Sequence, residues 1–89
     1  MIAIKLEIGG KVQGVYYRQE TQKMANALGL AGWVKNNEDS TVTVIAEGKK
    51  EMVYKLIDFC HHGPEMAVVK NVSITQVDWT GFSSFEIVK

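Results

Sequence analysis

Apolar and polar residues alternate from the start of the chain. Ile4, Leu6 and Ile8 alternate with Lys5, Glu7 and Gly9, the period of two that gives a strand one buried and one exposed face. Three glycines in the six residues Gly9 to Gly14 then end the pattern, because a backbone without a Cβ bends tightly there. From about Tyr17 the period lengthens. Tyr17, Thr21, Met24, Ala25 and Leu28 fall on one helical face, while Gln19, Glu20, Gln22, Lys23 and Asn26 face water. Gly29 followed by Leu30 reads as a helix stop, the glycine supplying a left-handed residue and the leucine folding back over the last turn.

Gly32 to Asn36 and Thr41 to Ala46 are strand-like, and Asn37-Glu38-Asp39-Ser40 between them has a turn composition, which predicts a hairpin. After Gly48 a second helix carries Met52, Val53, Leu56, Ile57 and Cys60 on its buried stripe, and Gly63-Pro64 closes it because proline cannot continue a helix. Val68 to Val77 is strand again, Trp79-Thr80-Gly81 is a corner, and Phe85 and Ile87 alternate around Glu86 in a short last strand. The predicted fold is therefore α+β: a βαββαβ split βαβ sandwich of ferredoxin-like type with a short extra C-terminal strand. One antiparallel sheet carries two helices on one face. Right-handed crossovers put the first and third strands side by side at its centre. Residues 1–89 are expected to form a single domain. Fold of this kind decides nothing about function.

Composition narrows the function classes. With 46% hydrophobic and 22% charged residues the chain resembles an ordinary soluble globular protein. Ten basic residues balance ten acidic ones, so no long-range field gathers nucleic acid or an anionic membrane, and any anion recognition is local. Cys60 is the only cysteine, which excludes an internal disulfide. No apolar run approaches the roughly 20 residues that span a bilayer, and the alternating N-terminus lacks a signal core. The expectation is a cytoplasmic monomer that binds neither nucleic acid nor membrane.

The glycine stretch carries the first candidate chemistry. The loop Gly10, Lys11, Val12, Gln13, Gly14 and Val15 joins the first strand to the first helix, so its N–H groups gather at a helix N-terminus, where exposed amides and the helix dipole favour an anion. Arg18, the only arginine, opens that helix and offers a fork for phosphate or carboxylate oxygens. The same spacing fits a plain tight turn with a solvated arginine equally well. Asn36, at the end of the second strand, can hold a water in fixed orientation without ionising, although taken alone an asparagine before a turn is better explained by its backbone preferences. Cys60-His61-His62 point in different directions on a helix rather than converging on a metal. Trp33 and Tyr17 are read as core.

At these residues the chain resembles the acylphosphatase family, small enzymes that hydrolyse the carboxyl-phosphate bond. Gly10 to Arg18 is similar to the family pattern Gly-x-Val-Gln-Gly-Val-x-Phe-Arg, and Leu28 to Asn36 to the pattern Leu-Gly-Leu-x-Gly-Trp-Val-x-Asn; Gly48, Gly63 to Val69 and Phe85-Glu86-Ile87 match weaker landmarks. The resemblance implies hydrolysis of small acyl phosphates to carboxylate and inorganic phosphate. It implies that the 10–15 loop cradles the phosphate with backbone amides, that Arg18 binds its oxygens and that Asn36 orients the attacking water, with no metal, cofactor or phosphoenzyme. Tyr17 stands where phenylalanine is usual and is expected to add a hydroxyl at the core's edge. Ser40 replaces a common glycine, at a steric cost if its φ is positive. Two other readings compete: a non-catalytic ferredoxin-like module that holds phosphate or carboxylate, and a standalone relative of the acylphosphatase-like domain of hydrogenase-maturation carbamoyl-transfer proteins, against which the absence of further domains is counted.

Overall fold

Seven elements follow one another in the order that the periodicity predicts: β1 Ile2–Lys11, α1 Tyr17–Ala27, β2 Ala31–Asn36, β3 Val42–Gly48, α2 Lys50–His62, β4 Val68–Gln76 and β5 Phe85–Val88. They come from a computed structural model that describes residues 1–89. The strands form one sheet in the order β4-β1-β3-β2-β5, with β1 and β3 adjacent as expected. Pairing is antiparallel from β4 through β2, whereas β5 joins parallel to β2. The reason is directional. β4 runs opposite to β1, so the connection after it crosses the far rim of the sheet and must return alongside β2.

Alternation along β1 and β3 puts Leu6, Ile8, Val42, Val44 and Ala46 under the two helices, all wholly buried. Val53, Leu56 and Cys60 meet them from α2, and Tyr17 and Ala25 from α1. Burial pushes the Cys60 thiol up to about 12, so it is a neutral core group. His61 and His62 bond back to the carbonyls of Ile57 and Asp58 in the last turn of α2, away from the buried sulfur.

Two side chains depart from expectation. Trp33 is half-buried on the face of the sheet away from the helices, opposite Ile45. Its neighbour Val34 is wholly buried, and successive strand residues cannot share a face. Tyr17 is core, as read, at 1% exposed, but its hydroxyl lies inside the core rather than at its edge and donates a 2.6 Å hydrogen bond to the Cys60 carbonyl. That carbonyl lies in the last turn of α2, where no later helical amide reaches it. Burial keeps the phenol protonated well above its usual range. The bond is worth about 1 kcal/mol and pins the start of α1 to the end of α2.

The long connection between β4 and β5 is latched at the far rim. Glu47, 2% exposed, accepts hydrogen bonds from three successive backbone amides, those of Thr80, Gly81 and Phe82. Burial would raise its carboxyl, but the three donors outweigh that and hold it below the ordinary value of 4.5. In the β2–β3 hairpin Ser40 has φ 74°, the left-handed conformation that favours glycine.

Two consequences are measurable. A carboxylate whose folded pKa is depressed stabilises the fold above its unfolded pKa and loses that contribution as pH falls through the folded value. The Tm gap between wild type and Glu47→Ala is therefore expected to be wide at pH 7 and to narrow at pH 3; equal gaps would refute the charged latch. Ser40→Gly relieves a left-handed penalty of about 1–2 kcal/mol against an added unfolded-state entropy of about 0.4–1 kcal/mol. Thermal melting should show Tm raised by a few degrees, and a lowered Tm would mean that serine is not strained there.

Candidate active site

Strand register places the two predicted side chains near each other. Ile8 pairs with Val42 on β3, and Val42 pairs with Asn36 on β2. Asn36 therefore stands two strands from Ile8 on one cross-strand row, about 10 Å at the usual strand spacing. β1 then runs on into the loop, and the loop returns over the same end of the sheet to begin α1.

The loop turns through left-handed residues at Gly14, φ 73°, and Tyr16, φ 66°, a geometry that gathers successive N–H groups into a concavity. Tyr16 occupies the N-cap of α1 and makes no side-chain cap hydrogen bond. No backbone N–H from Val12 through Gln19 has an acceptor within the protein. Beside this segment lies one cleft of about 210 Å³, lined by Val12, Gly14, Tyr16, Tyr17, Arg18, Gln19 and Asn36 at the positive end of the α1 dipole. No acidic side chain lines it. The Arg18 guanidinium gives one long hydrogen bond, 3.4 Å from Nη1 to the Val88 carbonyl, and its other donors are free. The side-chain amide of Asn36 is half-buried and has no partner within the protein. The cleft thus offers neutral and cationic donors to an anion, with an uncommitted amide beside them.

Asn36 also borders a second, wider cleft of about 620 Å³ whose lining, including Lys35, Glu38, Asp39 and Lys89, is wholly polar. Two other cavities lie away from the loop. One of about 440 Å³ sits at the opposite pole, beside Met1, Met52 and Trp79; one of about 540 Å³ runs between α2 and β4.

Of the predicted site residues, Val12, Gly14, Arg18 and Asn36 converge on the smaller cleft. Gly10 and Lys11 belong to β1 and pair with Val69 and Val68. Gly10 is needed for that pairing, since at its φ of 125° an added Cβ would stand 2.1 Å from the Val68 carbonyl oxygen. Val15 is a core residue, 2% exposed. Gln13 sits beside the cleft with its side chain turned to the hairpin. Tyr16, Tyr17 and Gln19 complete the lining without having been singled out for it. Their signal in the sequence is the missing Ser, Thr, Asp or Asn at the start of α1, which leaves the first-turn amides uncapped.

Comparison with known proteins finds one family along nearly the whole chain. The acylphosphatase family model matches residues 4–87. An acylphosphatase of Pelotomaculum thermopropionicum is 51% identical over 81 residues, which are 90% of this chain and 88% of that protein. The crystal structure of an acylphosphatase from Bacillus subtilis superposes over 100% of both chains with a TM-score of 0.97 and 32% identity. Full-length HypF in its phosphate- and nucleotide-bound form is similar to 99% of this chain over 12% of its own length, with a TM-score of 0.93 and 27% identity.

Gly14 tests the shape of the loop. A Cβ there meets nothing within 4 Å, so Gly14→Ala acts through the backbone alone. Its free loop relaxes out of the left-handed conformation, and an anion must restore it at about 1 kcal/mol, roughly a fivefold weaker affinity. Calorimetric titration with inorganic phosphate should show that loss in a fully folded variant; unchanged affinity would mean that binding needs no left-handed residue at this position.

Proposed function

The chain belongs to the acylphosphatase family, and from that premise we infer that Arg18, Asn36 and the amides of the loop that begins at Gly10 carry out its hydrolysis of acyl phosphates. The observation that carries the reading is that the segment from Val12 to Gln19, whose amides have no acceptor in the protein, lines one cleft through Val12, Gly14, Tyr16, Tyr17, Arg18 and Gln19 together with Asn36. In it the phosphoryl oxygens lie among the amides of Val12 to Val15 and the first turn of α1, and the Arg18 fork neutralises their charge. Asn36 holds a water on the far side of phosphorus from the leaving group. The water oxygen bonds to phosphorus as the phosphorus–oxygen bond to the acyl group breaks. Its electron pair leaves with the carboxylate, and the water's proton passes to a phosphate oxygen.

Such a sparse site suffices because of the leaving group. The conjugate acid of a carboxylate has a pKa of about 4, so departure requires little protonation and no general acid. The remaining tasks are to stabilise charge on the phosphoryl oxygens and to place water in line. Fixed amides and one arginine supply the charge stabilisation without a metal. A merely binding module would leave the uncommitted Asn36 amide without a role. The wider polar cleft at Asn36 suits a small polar acyl group. The reading takes residues 1–89 as one catalytic domain, acting as a cytoplasmic monomer without nucleic acid; the balanced charge supports it, and no helix is long and apolar enough to cross a membrane.

The expected result is hydrolysis of benzoyl phosphate by the purified protein in the presence of a chelator. Removing the water-orienting amide in Asn36→Ala should lower kcat by roughly 100-fold or more while inorganic phosphate still binds. Arg18→Ala removes charge-assisted bonds worth about 1.5–3 kcal/mol, so it should weaken phosphate binding and turnover alike. Full activity in Asn36→Ala would rule out its assigned role.

A further inference from the structure

The Gln13 side chain crosses from the cradle to the hairpin. Its amide nitrogen donates both hydrogens to backbone carbonyls, at 2.8 Å to Asn37 and at 2.9 Å to Thr41. These are the residue after Asn36 and the residue before its ladder partner Val42. The hairpin is closed independently. The Asn37 amide donates to the Thr41 carbonyl at 2.9 Å, and the Asn37 side chain donates to the hydroxyls of Thr41 and Thr43 at 3.0 and 2.7 Å. The turn therefore does not need Gln13 to hold its own shape. The loop has the opposite problem, because no amide from Val12 to Tyr16 bonds to the protein and the two bonds of the Gln13 side chain are its side-chain tie to the hairpin.

We propose that Gln13 is a positioning residue for the hydrolysis, its side-chain amide setting the distance between the phosphate cradle and Asn36 and hence the alignment of the attacking water with phosphorus. The inference rests on the assignment of cradle and water to these two elements. β1–β3 and β3–β2 pairing fix the backbone of Asn36, but the tip of the loop lies beyond the end of β1, where ladder bonds no longer control it. In-line attack needs the reacting atoms about 3–3.5 Å apart, and a displacement of about 1 Å costs on the order of 100-fold in rate. A tie with both donors satisfied, reaching 24 and 28 residues along the chain, removes that freedom. It touches neither phosphate nor water, so its effect belongs to geometry rather than to charge.

The test separates kcat from phosphate affinity. Gln13→Met keeps length and volume and removes both donors; Gln13→Asn keeps the amide on a stem too short to reach both carbonyls, and serves if the methionine variant does not fold. With benzoyl phosphate as substrate and inorganic phosphate as competitive inhibitor, either variant is expected to lose roughly 10- to 100-fold in kcat with the phosphate inhibition constant within about threefold of wild type. A lowered Tm with kcat unchanged would make Gln13 merely structural and overturn the proposal. Parallel loss of kcat and phosphate affinity would overturn it as well, since Gln13 would then shape the cradle itself. A wild type inert towards benzoyl phosphate overturns the catalytic reading and this inference with it, whereas an active wild type with a fully active Gln13→Met overturns this inference alone.

Discussion

Everything at the loop end of the sheet depends on a run of backbone amides that the fold declines to satisfy. A polar side chain at the N-cap would be worth about 1 kcal/mol to α1, yet Tyr16 stands there in a left-handed conformation with no capping bond. The amides before and after it are equally free. Unbonded N–H groups and a bulky left-handed residue are both unfavourable, and the loop would relax if it were tethered weakly. Its conformation must be imposed by its ends. On one side the β1 ladder continues to Lys11 against Val68. On the other, Tyr17 is locked in the core by its hydroxyl bond to Cys60, immediately after the strained residue. The loop is thus stretched between a sheet and a buried phenol.

The opposite pole contributes through β5. Glu47 gathers the amides of Thr80, Gly81 and Phe82 and so fixes the crossing from one edge of the sheet to the other. That crossing lets β5 enter parallel to β2, with Val88 beside Lys35. Val88 in turn supplies the carbonyl that tethers Arg18. A carboxylate at one rim and a guanidinium at the other are joined by one short strand, and the length of the crossing decides where the tether ends. At 3.4 Å the bond to Arg18 is long for a hydrogen bond. It restrains the side chain while leaving the fork able to turn toward a better acceptor.

Most of the fold was legible because periodicity alone distinguishes elements. Alternation in β1, the 3.6-residue stripe of α2, and Gly63-Pro64 as a stop each match the structure. Trp33 was misread because a large aromatic residue looks like core whatever its phase, whereas the parity of Val34 had already assigned the inner face. The Glu47 latch could not be read, since its partners are amides of a loop 33 to 35 residues away and an amide leaves no trace in residue identity. The same reason hid the division of labour in the glycine stretch. Gly10 and Gly14 look alike in sequence, but Gly10 lets two strands approach and Gly14 turns the loop. Arg18 and Asn36 were legible as candidates because each is chemically distinctive for its position. Their convergence needed the row Ile8–Val42–Asn36, which only the pairing register supplies.

The balance of charge is consistent with the way the proposed site would hold an anion. A site built from many cations would draw phosphates from a distance, at the cost of attracting every other polyanion and of strong dependence on salt. Amide dipoles act over a few ångströms and do not titrate. They are worth most where the surroundings are of low dielectric and the dipoles cannot rotate to follow the charge. Val12 and Val15, 1% and 2% exposed, supply such surroundings by rooting the loop in the core. For a chain of zero net charge with one arginine, the proposed site would recognise a dianion at contact while the rest of the surface exerts little field on it. Rigidity of the amides, rather than number of charges, sets the strength of such a site, which is why so much of the core converges on holding five residues between a strand and a helix.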